Sequence, residues 1–361
     1  MGESPSGRDA FVQLLTPDGV RREHTDFRYV GDTQAIAELY RHMVLIRRVD
    51  AEGFALQRHG ELGLWPPSLG QEAVLASGAA ALGPADFVYP TYREMLLGWL
   101  LGVDISDLLA VWRGSSHGGW DSRSTRFGPM SIVIGSHPLH ATGHALGMKM
   151  RNQRDSAVIA YFGDGASSQG DVMEAIELAV LQQVPVVFFC QNNHFAISQP
   201  VDRQTAVPIV ERAAGFGLPG IRIDGNDVLA CEAVTRAALK RAREGGGPTF
   251  IEAMTYRMGP HTTSDDPTRY RDDAEVEVWR ARDPIDRVRA YLVGEAYDAE
   301  FFAEVDREAE ELGASVRAAC LAVPEPDLAA WFDNVYAEQT DELRSQQTEY
   351  VAWRRQYGGV A

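Results

Sequence analysis

The sequence predicts an α/β fold: a doubly wound, mostly parallel sheet with helical extensions at both ends. Three observations carry this. Residues 157–162 (Ala-Val-Ile-Ala-Tyr-Phe) and 186–190 (Val-Val-Phe-Phe-Cys) are apolar without alternation, as strands buried on both faces are. Stretches of helical period, 171–183 and 227–244, each lie between two such strands. Strand, helix and strand in repeated order place parallel strands side by side, with crossover helices on both faces.

Taken in order, residues 1–30 lack sustained period and read as an N-terminal arm. Ile36, Leu39, Tyr40, Met43 and Ile46 mark a helix over about 33–59, with Asp32 or Thr33 placed to cap it. Pro66 and Pro67 break the chain. An alanine-rich helix over about 70–82 and another over about 93–112 follow. Residues 113–130 hold glycine, serine and charge without period, a long loop of the kind that is often functional. Residues 221–223 and 249–256 complete the four expected strands, and Gly245-Gly246-Gly247 ends the amphipathic helix over 227–244. Beyond Pro284 the chain is mostly helical and charged. The expected division is an arm over 1–30, an α/β domain over 31–290 and a helical C-terminal region over 291–361.

Composition excludes several functions. With 51 acidic against 34 basic residues, the formal charge of -17 repels nucleic acid and anionic membranes. No run of 18 apolar residues suggests a membrane span, and the polar first nine residues do not read as a signal peptide. Cys190, Cys231 and Cys320 are widely spaced, which fits reduced thiols in a cytoplasmic protein. Two lysines, Lys149 and Lys240, leave few candidates for Schiff-base chemistry.

Ligands of doubly wound sheets bind beyond the carboxyl ends of the strands. Two such ends stand out: Gly163-Asp164-Gly165-Ala166-Ser167-Ser168-Gln169-Gly170, and Gln191-Asn192-Asn193-His194-Phe195. One helix and one strand fit between them, so adjacent strands would bring Asp164 and Asn193 together. A carboxylate, an amide oxygen and nearby carbonyls make a hard-oxygen site of the kind magnesium (Mg2+) favours. Gly163 and Gly165 would let the backbone approach a diphosphate, and the helix near Asp171 would offer N–H groups. Either segment alone reads as a common tight turn; the pair at successive strand ends points to a metal–diphosphate site. A dinucleotide fold fits poorly, since Ser168 stands at the third glycine position and no acid ends the next strand. No G-K-[ST] sequence supports a P-loop.

With Tyr92-Arg93-Glu94, Tyr161-Phe162-Gly163-Asp164-Gly165, Asn192-Asn193, Phe195-Ala196-Ile197-Ser198, Ile223-Asp224-Gly225-Asn226-Asp227 and Glu252-Ala253-Met254-Thr255-Tyr256-Arg257, the chain over about 30–350 resembles alpha subunits of the thiamine-diphosphate-dependent pyruvate and branched-chain 2-oxo acid dehydrogenases. The resemblance continues through His261-Thr262-Thr263-Ser264-Asp265-Asp266 and Tyr270-Arg271. It implies a cofactor of thiamine diphosphate with magnesium held by Asp164, the Asn193 side chain and the Phe195 carbonyl. It implies that Gly163, Asp164, Gly165, Ala166 and Gln191 adjoin the cofactor and that Arg93 pairs with its diphosphate. Tyr92 would lie against the cofactor. The His137 and Leu139 backbones would meet its aminopyrimidine, and the Leu139 side chain would brace its bent shape. His261 would contact the diphosphate and act as the catalytic residue. The family's partners are a beta subunit, which completes an α2β2 heterotetramer and supplies the glutamate that activates the pyrimidine, and a lipoyl-bearing acyltransferase.

Two positions depart from the branched-chain pattern: Gln191 stands where an arginine can help bind diphosphate, and Ala141 stands where a threonine helps hold potassium. Those two and Gly70-Gln71-Glu72-Ala73 look like pyruvate-type chains. Thr262-Thr263-Ser264-Asp265-Asp266 and Leu343-Arg344-Ser345-Gln346-Gln347 resemble branched-chain enzymes. The expectation is a branched-chain 2-oxo acid substrate, with pyruvate as the alternative and a non-catalytic binding protein of the same fold as a distant one. His140 and His144 have zinc-like i, i+4 spacing without the glutamate of H-E-x-x-H, so helix packing or site lining is expected of them. His194 reads equally as a cofactor neighbour or a loop residue, and His117 as a solvated one. Residues 259–273, polar and short of apolar anchors, are expected to need the cofactor to become ordered.

Overall fold

A computed structural model describes residues 11–116, 118–324, 330–333 and 335–357. The expectation for His117 therefore lies outside the described residues. The helices are α1 (Thr33–Arg58), α2 (Glu72–Ala81), α3 (Met95–Leu100), α4 (Ile105–Arg113), α5 (Ser122–Thr125), α6 (His137–Met150), α7 (Gly170–Gln182), α8 (Glu211–Phe216), α9 (Val228–Arg243), α10 (Asp273–Arg280), α11 (Pro284–Gly294), α12 (Ala299–Ala322) and α13 (Asp341–Tyr357). The strands are β1 (Phe87–Tyr89), β2 (Val158–Gly163), β3 (Val186–Asn192), β4 (Phe195–Ala196), β5 (Gln199–Pro200), β6 (Gly220–Asp224) and β7 (Thr249–Met254).

Five strands form one parallel sheet in the order β1-β2-β3-β7-β6, while β4 and β5 make a small antiparallel hairpin. The four expected strands are all present. The fifth, β1, is three residues long, too short to show a period. The helix expected over 93–112 is two, α3 and α4: Gly102 takes a positive φ of 97°, and the Asp104 side chain caps α4 by accepting from the Ser106 amide. Asp32 proves to be the cap of α1, accepting from the Ala35 amide.

Helices α6 and α7 pack together on one face of the sheet; α1, α2, α9, α11 and α12 cover the other. All seven residues of β3 are buried, which explains the unbroken apolar run of its first five, 186–190. The N-terminal segment is tied to the open edge, with the Val12 amide donating to the Arg222 carbonyl and the Asp224 amide to the Val12 carbonyl. Among the described residues no helix is long and apolar enough to cross a membrane.

Candidate active site

Asp164 opens a 3-10 turn directly after β2, and Asn193 follows β3 directly. The register pairs Gly163 with Gln191, so the two turns leave the same edge of the sheet side by side. Above them lies a cavity of about 460 Å3. Its wall includes Tyr92, Arg93, Gly163, Asp164, Gly165, Ala166, Gln191, Asn193, Phe195 and His261. His137 and Leu139 are not in this wall: the His137 ring turns back to the Tyr161 carbonyl (2.5 Å), and Leu139 packs into the core beneath α6.

One end of the cavity is an oxygen site. The Asp164 carboxylate is 1% exposed, and burial raises its pKa above the ordinary value. Its Oδ2 accepts from Gln204 Nε2 at 2.9 Å. Asn193 Nδ2 donates to Gln71 Oε1 (2.9 Å), leaving its Oδ1 on the side of the Phe195 amide (3.3 Å). The Phe195 carbonyl accepts from Arg257 Nη1 (3.0 Å) and keeps a second lone pair. One buried carboxylate, one amide oxygen and one carbonyl form a donor set suited to magnesium. Gly165 lines the cavity and has a second role: a Cβ there would lie 2.7 Å from the Ala196 Cβ, so glycine also lets the β4–β5 hairpin close over the turn.

The other end is cationic. Arg93 is nearly buried, and its Nη2 donates to His261 Nδ1 (3.2 Å) and to the His261 carbonyl (3.1 Å). Arg257 is fully buried, and its Nη1 lies 3.5 Å from the same ring nitrogen. Burial, followed by the charge of Arg93, lowers the Arg257 pKa, and among the described residues its Nε has no hydrogen-bond partner. Burial and then the two guanidinium groups push His261 down to about 3. The ring is therefore neutral, accepts at Nδ1 and carries its proton on Nε2. The Asp265 carboxylate accepts from the His261 amide at 2.7 Å. Two crowded, desolvated guanidinium groups with an imidazole between them suit a polyanion such as a diphosphate.

Gln191 lines the wall, but its Nε2 donates to Glu94 Oε1 (2.6 Å), and its buried Oε1 has no partner among the described residues. Glu94 had been given no role. It closes a capping box with Thr91, and that Thr-x-x-Glu spacing was legible in the sequence. Gln204 and the Asn193 partner Gln71 were also missed as site residues, and nothing local marks them. His194 packs against Tyr256 and Trp279 and is not among the residues that line the wall. His144 packs edge-on against Phe87, and His140 is exposed.

The segment 259–273 is anchored by hydrogen bonds and by the Tyr270 ring, which packs on Phe195. The Tyr270 hydroxyl donates to Asp265, Arg257 donates to the Tyr270 hydroxyl (2.8 Å), and Arg271 donates to the Met258 and Gly259 carbonyls (2.7 and 3.0 Å). These hydrogen bonds tie the segment to itself and to Arg257.

A model of the family described as the dehydrogenase E1 component matches residues 40–327. The chain is 45% identical over 347 residues to the 3-methyl-2-oxobutanoate dehydrogenase subunit alpha of Mycobacterium tuberculosis, covering 94% of this chain and 93% of that one. It is 34% identical over 331 residues to the pyruvate dehydrogenase E1 component subunit alpha of Acholeplasma laidlawii, covering 88% and 93%. To the protein of the same description from Bacillus cereus it is 38% identical over 304 residues, covering 83% and 81%. The matched span contains the oxygen end, the cationic end and the whole sheet, and the chain belongs to the dehydrogenase E1 component family, a thiamine-diphosphate-dependent family of oxidoreductases that includes alpha subunits of 2-oxo acid dehydrogenases.

Proposed function

We propose that this chain is the alpha subunit of a cytoplasmic 2-oxo acid dehydrogenase that decarboxylates branched-chain 2-oxo acids of the 3-methyl-2-oxobutanoate type and passes the acyl group to a lipoyl-bearing acyltransferase. The observation that carries this reading is one cavity whose wall joins the oxygen donors to Arg93 and His261, with Arg257 Nη1 3.5 Å from the His261 ring. The 45% identity to a 3-methyl-2-oxobutanoate enzyme favours the branched-chain substrate.

Asp164, Asn193 and the Phe195 carbonyl would hold magnesium, and Arg93, Arg257 and His261 would hold the diphosphate. Thiamine diphosphate, when bound, supplies the carbon nucleophile and the electron sink for decarboxylation. The chain's own residues orient it and keep water away. Leu64, Pro66, Trp112, Ile132 and Ile134 give the wall its apolar side, and His261 presents a proton at Nε2.

A beta subunit completes the site in this reading, as an α2β2 heterotetramer. Among the described residues the wall has two carboxyl groups, and both are engaged: Asp164 by Gln204, Glu94 by Thr91 and Gln191. Neither is free to activate an aminopyrimidine, which supports a partner bringing that acid. The exposed apolar residues Ile132 and Val133 at the rim suit a subunit face.

Steady-state rates on the complex reconstituted with a beta subunit test the proposal. Higher kcat/KM with 3-methyl-2-oxobutanoate than with pyruvate is expected. The reverse order would transfer the assignment to the pyruvate reading, which the Acholeplasma and Bacillus relatives favour. No turnover with either acid would remove the dehydrogenase reading.

A further inference from the structure

No α1 residue lines the cavity among the described residues, yet α1 carries a seat for a strap that does. Asp50 is buried on α1, and its oxygens take three hydrogen bonds from the segment 65–68. Oδ1 accepts from the Trp65 indole N–H (3.0 Å), and Oδ2 accepts from the Ser68 amide and hydroxyl (2.6 Å each). One turn further along the same face is Gly53, a residue that helix interiors disfavour. A Cβ there would lie 2.3 Å from the Trp65 ring, so the glycine is the floor on which the indole rests.

The strap reaches the cationic end twice. The Trp65 amide donates to Thr263 Oγ1 (3.1 Å), and the Thr263 amide donates back to the Trp65 carbonyl (3.0 Å). This double clamp fixes the segment carrying His261 and Thr262. Two residues after Trp65, the Pro67 carbonyl accepts from Arg93 Nη1 (2.5 Å). Trp65 is fully buried, so it cannot move without moving both attachments.

We propose that Asp50 is a positioning residue for the cationic end of the site, acting through Trp65 on Arg93 and the His261 segment. The proposal rests on the reading that this end holds the cofactor diphosphate. Asparagine is the informative replacement. Its oxygen can serve one side of the seat, but its NH2 then faces either the indole N–H or the Ser68 amide, two donors without an acceptor. Burial pushes the Asp50 carboxyl up to about 6, so loss of its charge does not by itself cost the fold.

The test uses the full chain reconstituted with its beta subunit and magnesium. Asp50→Asn is expected to raise the thiamine diphosphate dissociation constant about tenfold, with kcat at saturating cofactor within about twofold. Hydrogen exchange of the peptide 259–266 should quicken about tenfold, while α1 peptides stay as in the parent. Ile46→Val, a core change on the same helix, should alter neither. Trp65→Phe removes the indole donor, so its effect and that of Asp50→Asn should combine to less than their sum. Unchanged affinity and exchange in Asp50→Asn, or strictly additive effects, would overturn the proposal. If the parent complex binds no thiamine diphosphate, the functional reading fails, and the exchange of 259–266 alone decides whether the seat positions the segment.

Discussion

The two ends of the cavity are built by different means. At the oxygen end, Asp164, Asn193 and Phe195 stand within a few residues of the ends of β2 and β3, and the backbone ladder fixes them. At the cationic end, Arg93 meets Arg257 and His261, two residues of the one segment that follows β7, and side-chain hydrogen bonds to Pro67, Tyr270 and Asp265 hold the group together. A group placed by the ladder has no substitute when removed. Groups placed by a network share one task, so losing one weakens the site by degrees.

The largest expected effect lies outside both ends. The chain purified alone, given thiamine diphosphate and magnesium, should show no 2-oxo acid decarboxylation, and adding the beta subunit should restore it. Turnover by the isolated chain would mean that this wall holds an acid we have not recognised.

Next comes the ladder-built end. Asp164→Ala should weaken cofactor affinity by about 100-fold or more, a loss at the upper end of those seen around metal sites. The same variant should melt at or above the parent temperature without cofactor, because burial makes the ionised carboxylate costly. Calorimetric titration with the beta subunit present, and a melting curve, check both halves. An unchanged affinity would remove Asp164 from the site.

The network-built end should respond in smaller steps. Arg93→Lys keeps the charge but loses the guanidinium fork that serves Pro67 and His261 together, and a loss of roughly tenfold in cofactor affinity is expected. If Arg93→Lys were as severe as Asp164→Ala, the contrast between the two ends would collapse. Thr262 lines the same wall. Thr262→Glu should lower kcat/KM several-fold, on the order of 1 kcal/mol, with an unchanged circular dichroism spectrum, since a carboxylate there repels both a diphosphate and Asp265. Parent-like rates would show that Thr262 faces away from the bound anion.

A pH dependence tests the same end through stability rather than activity. His261 is held down to about 3 in the fold against an ordinary value of 6.5. The unfolded chain therefore binds the extra proton first. Stability from this group is complete above about pH 6.5 and is lost as pH falls toward 3. His261→Gln should flatten the acid side of the melting profile. A profile identical to the parent's would mean that the ring is not desolvated between the two arginines.

How much of this was legible depended on distance along the chain. The Gly163-Asp164-Gly165 and Asn192-Asn193 turns were readable because each lies at the end of its own strand, and strand runs show as local hydrophobic pattern. Arg93 and His261 were identified by resemblance, but the contact between them was not foreseen. Gln71 and Gln204 were given no role because a neutral side chain carries no signal until its partner is known, whereas Glu94 was overlooked although its capping box with Thr91 is local. Gln204 meets Asp164 from 40 residues away, and Gln71 meets Asn193 from 122.

By itself, then, the sequence determined four strands of the parallel sheet, the helices α7 and α9 between them and the oxygen donors at its edge, while α6 went unread. Apolar runs, turn glycines and helical period are local, and the handedness of strand crossovers leaves few ways to assemble them. The tertiary structure alone decided that β1 pairs with β2, that Gly165 makes room for Ala196, that Trp65 clamps Thr263, and that Asp50 reaches the site through Trp65. The physical reason is that each of these is a short-range contact between segments far apart in sequence. Close packing selects such contacts after collapse, and they leave no period along the chain.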